Sequence, residues 1–142
     1  MKLRIKRVDP ALPLPTRGSR GAAGLDLITR EDTTVPPGGI ALVPANTIVQ
    51  VPPGYMLIVA ARSSTPKRTG LVAPHGFGVI DSDYRGDGDE IRVQVWNPGG
   101  EPVTVRRGDR IAQAILVRIE PVDWAETDGE LGPTRGGFGS TG

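Results

Sequence analysis

Apolar positions along the chain come in short bursts, and no long stretch carries a helical stripe. Leu3–Val8 alternates apolar with basic residues, the pattern of an edge strand. Ile40–Pro44 and Thr47–Val51 are short apolar runs, the first preceded by Pro36-Pro37-Gly38-Gly39. Pro52-Pro53-Gly54 turns into a further run, Tyr55–Ala61. Ile91–Trp96 alternates Ile, Val and Val with Arg and Gln before Pro98-Gly99-Gly100 stops it. Pro102–Val105 and Ile111–Ile119 follow, separated by Arg107-Gly108-Asp109. Many short β-branched segments between Gly/Pro turns predict an all-β, jelly-roll-like sandwich or barrel. The only predicted helix follows Arg62-Ser63-Ser64, and Pro66 holds it to one or two turns.

Beyond Asp123 the pattern fades into Asp, Glu, Gly and Thr around a single Trp. Such a segment cannot bury enough apolar surface to fold alone, so residues 1–122 are expected to form the β domain and 123–142 a flexible C-terminal arm. Arg135 and Phe138 lie among glycines in that arm, where they are either part of a plain terminus or a phosphate fork and a stacking ring on a mobile tether.

Composition narrows the chemistry. With 142 residues, 37% hydrophobic and only 4% aromatic, one core must be built from Val, Ile, Leu and Ala. Burial between subunits would supplement it. A net charge of +1 gives no general affinity for nucleic acid, so an anionic ligand must be gripped by a few local groups. The absence of cysteine excludes disulfides, thiolate catalysis and zinc–thiolate sites, and a single histidine excludes a multi-histidine metal site within one chain. No apolar run reaches the roughly twenty residues of a membrane span, and the first residues lack a signal-peptide apolar region. These features predict a soluble, cytoplasmic protein with no membrane or nucleic-acid partner.

Three constellations could carry chemistry. Arg62, Ser63 and Ser64 at a helix start offer a guanidinium, two hydroxyls and backbone N–H groups to an anion, or else a helix cap beside a solvated arginine. Asp81 and Asp83 after the apolar Gly78-Val79-Ile80 are either an Asx turn or the source of a general base for hydrolysis. Asp26 is open in the same way, and Gln113 is a polar residue within an apolar strand.

Five segments, in this order, resemble the trimeric dUTP pyrophosphatase family: AAGLDL (22–27), ARSSTPKRTGL (61–71), GVIDSDYRG (78–86), GDRIAQAIL (108–116) and RGGFGSTG (135–142). The resemblance implies a β-clip fold and a homotrimer with three active sites shared between subunits. The implied activity is Mg²⁺-dependent hydrolysis of dUTP to dUMP and pyrophosphate, which limits uracil incorporation into DNA and supplies dUMP for thymidylate synthesis. It also implies roles. Asp81 would activate the attacking water. Tyr84 would pack on the deoxyribose and leave no room for a 2′-hydroxyl. Arg62, Ser63, Ser64 and Gln113 would grip the phosphates. His75 and the backbone of Gly78, Val79 and Ile80 would form the hairpin that reads uracil. Arg135, Phe138, Gly139 and Ser140 would close the arm over the base and triphosphate. Asp26 would reach Mg²⁺ through water.

The chain departs from the family in three places. Thr65-Pro66 stands where Leu-Ala is usual, His75 stands where an Asn is common, and Asp87-Gly88-Asp89-Glu90 lengthens the hairpin after Tyr84, expected as a solvated acidic loop, with a second cation site or an altered rim of the base pocket as the alternative. A related activity, deamination of dCTP, needs a glutamate where Gln94 stands, and an amide cannot exchange protons. A catalytically silent nucleotide-binding regulator on the same fold is the remaining alternative, together with an RNA-binding arm suggested by a single Arg-Gly-Gly.

Overall fold

The turn signals and the strands they separate are realised in the computed structural model, which describes residues 1–137. The strands are β1 (Arg4–Arg7), β2 (Leu25–Asp26), β3 (Thr33–Val35), β4 (Ile40–Pro44), β5 (Thr47–Gln50), β6 (Tyr55–Ala61), β7 (Phe77–Ile80), β8 (Arg92–Trp96), β9 (Val103–Val105) and β10 (Ala112–Arg118). Among the described residues a single helix, α1 (Thr65–Thr69), lies between β6 and β7. No helix among the described residues is long and apolar enough to cross a membrane.

Among the described residues the strands pair antiparallel in four sheets: β1-β5, β2-β10-β6-β7, β3-β9 and β4-β8. Turn chemistry sets where strands begin. At Pro52-Pro53-Gly54 the glycine takes φ +77°, and the Tyr55 N–H donates to the Pro52 carbonyl at 3.2 Å, launching β6. At Arg107-Gly108-Asp109 the glycine sits at φ +88° and the Asp109 carboxylate accepts from the Arg106 N–H at 2.9 Å, ahead of β10.

Alternation then decides what is buried. Val43 of β4, Leu57 and Val59 of β6, Val93 and Val95 of β8, and Ala112 and Ala114 of β10 meet in one core with Val35, Val105 and Leu71. The core is aliphatic, as the composition requires, and it draws on all four sheets. The opposite faces remain apolar too: Ile40, Leu42, Phe77, Val79 and Trp96 are exposed.

Pro66 sits in the first turn of α1, and Gly70 ends the helix in a left-handed cap at φ +74°. Ser64 occupies the N-cap position without a side-chain capping bond. Residues 119–137 contain no helix or strand, and residues 120–137 are exposed along their whole length. Phe138, Gly139 and Ser140 lie outside the described residues.

One expectation needs correction. The segment Asp87–Glu90 is not simply a solvated acidic loop, because Glu90 is buried. Its carboxylate accepts from Arg30 Nε at 2.9 and 3.2 Å and from the Asn46 N–H at 2.8 Å. The Arg30–Glu90 hydrogen bond is the main reason the Arg30 pKa lies above its ordinary value, against the opposing effect of burial. Asn46 is itself the only described non-glycine residue at positive φ, and its side chain holds the backbone of Asp9 through two further bonds. Removing Arg30 would leave the buried Glu90 carboxylate without its cation, a destabilising change. The other two carboxylates are also engaged: Asp89 accepts from the Gly86 N–H at 2.6 Å, and Asp87 pairs with Lys6 at 2.7 Å.

Candidate active site

The register of the four-stranded sheet gathers one group of site residues. Gln113 on β10 lies opposite Asp26 on β2 and opposite Ala60 on β6. Arg62, just past β6, has its backbone N–H bonded to the Ile111 carbonyl at 2.9 Å. Its Nε lies 3.0 Å from the buried Asp26 carboxylate, and its Nη1 donates to the Arg110 carbonyl at 3.1 Å. Thr65 fastens the same turn by donating its hydroxyl to the Ile111 carbonyl at 2.6 Å. Ser63 is exposed and Ser64 half-buried beside this anchored arginine. Asp26, Arg62, Ser63, Ser64 and Gln113 therefore occupy one corner of the molecule, with the guanidinium oriented rather than free.

Two members of that corner escaped sequence reasoning. Arg110 reaches the second oxygen of Asp26 at 3.5 Å, and its position three residues before Gln113 in the same motif was the available signal. Gly24 leaves room for Gln113, since a side chain at position 24 would run into the Gln113 amide oxygen.

A second group forms around β7. His75, Gly78 and Ile80 line a small cleft with Ala73, Val93 and Gln94. Gly76, at φ +77°, supplies the tight turn before β7, which is the edge strand of its sheet, so part of its backbone is free to bond a ligand. Val79 points to the opposite, exposed face, leaving only its backbone available to that cleft. Asp81 follows β7 directly and is exposed, and its carbonyl accepts from the Tyr84 N–H at 3.3 Å, forming a turn. None of the ion pairs among the described residues involves Asp81.

The two groups do not meet within one chain. Ile80 pairs with Leu57 near the start of β6, whereas Arg62 follows its end. Asp81 and Arg62 are thus separated by the length of β6, roughly 20 Å at strand rise. Arg135 is exposed in the tail, without an ion pair among the described residues. A cleft of about 420 Å³ lined by Leu3, Leu25, Val49, Leu57 and Leu116 among others contains none of the candidate residues.

No three His, Asp or Glu side chains converge on a metal position among the described residues. This donor set suits only a cation that arrives with its own ligands, such as Mg²⁺ on a polyphosphate with water completing its shell. The Asp26 carboxylate in this corner is paired with Arg62 and Arg110.

Comparison with known proteins gives the same assignment throughout. The family model described as dUTPase matches residues 11–142. A deoxyuridine 5'-triphosphate nucleotidohydrolase of Corynebacterium efficiens is 42% identical over 143 residues, covering 99% of this chain and 77% of that protein. The crystal structure of dUTPase from Streptococcus mutans superposes with a TM-score of 0.77 at 30% identity, covering 84% of this chain and 98% of the other. A Staphylococcus bacteriophage 80alpha dUTPase variant with dUpNHpp reaches a TM-score of 0.86 over 99% of this chain and 98% of its own, with 21% identity, and so bears on the fold alone. Sequence, family model and fold agree, and the chain belongs to the dUTPase family.

Proposed function

We propose that this protein hydrolyses dUTP to dUMP and pyrophosphate, with Asp81 as general base. What carries the reading is the corner in which Asp26 holds Arg62 beside Ser63, Ser64 and Gln113, an arrangement ready to grip a triphosphate. In the proposed reaction Asp81 accepts a proton from a water that attacks the α-phosphorus. The bond from that phosphorus to the α–β bridging oxygen breaks, and pyrophosphate leaves. Arg62 and, from the arm, Arg135 offset the charge that develops on the leaving group. A bound Mg²⁺ would supply further neutralisation of the phosphates, and Asp26 is the residue that would help hold it. Tyr84 packs on the sugar, and His75 with the backbone of Gly78, Val79 and Ile80 reads the base. Phe138, Gly139 and Ser140 close over the base and phosphates.

The separation of Asp81 from Arg62 supports a further element of this reading, a homotrimer in which different subunits supply the two groups. A triphosphate is too short to touch both within one chain. The exposed apolar faces around Phe77, Val79, Ile40, Leu42 and Trp96 are the kind of surface that subunits cover. Residues 123–142 then act as an arm that closes a neighbouring subunit's site.

One experiment tests both points. Asp81→Asn should retain dUTP binding and lose turnover by about 10²-fold or more, and Arg62→Ala should also be nearly inactive. Mixed and allowed to exchange subunits, the two variants should regain part of the activity, because some sites then hold both groups. Unchanged turnover in Asp81→Asn removes that carboxylate from the mechanism. Failure of the exchanged mixture to recover argues for sites within single subunits.

A further inference from the structure

Tyr84 can exclude a 2′-hydroxyl only if its ring is held still, since the discrimination rests on one atom of the sugar. The turn that carries it is tied by its own backbone bonds but lies at the surface: residues 83–88 are exposed, and so is the Tyr84 side chain. The ring is fixed from its far end, where its hydroxyl donates to the backbone carbonyl of Glu90 at 3.2 Å. That carbonyl belongs to the best-anchored residue of the hairpin. The Glu90 carboxylate is buried between Arg30 Nε and the Asn46 N–H, and the next residue bonds the start of β5 through Ile91 N–H to the Thr47 carbonyl at 2.9 Å. The Ile91 carbonyl in turn accepts from the Ala45 N–H at 2.9 Å.

We infer that Glu90, clamped by Arg30 and Asn46, is a positioning residue that fixes Tyr84 and thereby the selection of deoxyribose over ribose. The inference rests on the role proposed above for Tyr84. Glu90 touches no substrate in this arrangement. It acts through a carbonyl whose place is set by its own buried side chain, sixty residues from its arginine partner in sequence. The acidic insertion thus has a function at its last residue: the lengthened hairpin ends on an internal clamp, and the clamp ends on the sugar-facing ring.

The test compares kcat/KM for dUTP and UTP in the wild type, Glu90→Gln, Tyr84→Phe and the double variant. Each single variant should lower the dUTP-over-UTP ratio roughly three- to tenfold, the scale of one lost hydrogen bond. The double variant should fall no further, because both changes release the same ring. In Glu90→Gln the kcat with dUTP should stay within about twofold of wild type, since Asp81 and Arg62 are untouched. A Glu90→Gln protein that melts earlier but keeps the wild-type ratio shows a structural role only and overturns the inference. Independent, multiplying losses in the double variant overturn it as well. If Glu90→Gln does not fold, Arg30→Lys keeps the charge while losing the planar fork, and the ratio must still fall. A wild-type enzyme that accepts UTP as readily as dUTP overturns the role of Tyr84 itself, an outcome visible before any variant is made.

Discussion

At the scale of single residues, the candidate site depends on groups that orient other groups. Asp26 holds Arg62, Gly24 makes room for Gln113, and Glu90 holds Tyr84 through its carbonyl. Gly24 gives the sharpest local prediction. A methyl group there must displace the Gln113 side chain, and the glycine's φ is not in the left-handed region, so the effect is one of space and not of backbone strain. Gly24→Ala should raise KM for dUTP several-fold, on the order of one lost phosphate hydrogen bond, while the melting temperature moves little. An unaltered KM would mean that Gln113 does not contact the substrate.

At the scale of elements, the β3–β9 ladder is closed by an ionic clip. Asp32, just before β3, accepts from the Arg107 N–H and from Arg106 Nη1, both at 2.8 Å, beyond the end of β9. The backbone bond first, and the Arg106 pairing second, hold the Asp32 carboxyl below its ordinary pKa. A depressed pKa means the folded state binds the proton less readily than the unfolded chain. The clip's contribution is therefore complete above the ordinary carboxylate range and is lost as pH falls below about 4. Asp32→Asn should melt earlier than wild type at neutral pH, with the gap closing as the pH is lowered through that range. A gap that stays constant with pH would rule out the ionised carboxylate as its source.

The elements also show what the sequence could and could not disclose. Ile40–Pro44 and Tyr55–Ala61 were legible to the residue, because each is an apolar run launched by a Pro-Pro-Gly turn. Leu25–Asp26 and Thr33–Val35 were not, because so short a segment has no period of its own and becomes a strand only by pairing with β10 and β9, nearly ninety and about seventy residues away. Glu90 was misjudged for a related reason. Within Asp87–Glu90 it looks solvated, and only the distant Arg30 and the Asn46 N–H make its burial tolerable. The motif residues themselves were readable from their wording and order. Their separation along β6 emerges only from the strand register.

At the scale of the whole molecule, one core formed by four small sheets supports two separated groups of candidate residues. The proposed trimer joins them, and the largely aliphatic exposed faces give it a surface to bury. In the proposed reading, base choice falls to the cleft of His75, Gly78, Ile80 and Gln94, whose described lining holds no glutamate to exchange protons with an amino-bearing base. The most direct measurement is incubation of the protein with each deoxynucleoside triphosphate, and UTP, in the presence of Mg²⁺, following pyrophosphate and ammonia separately. Pyrophosphate from dUTP far in excess of every other nucleotide, with no ammonia, is the expected result. Ammonia released from dCTP, or no pyrophosphate from dUTP, would contradict it.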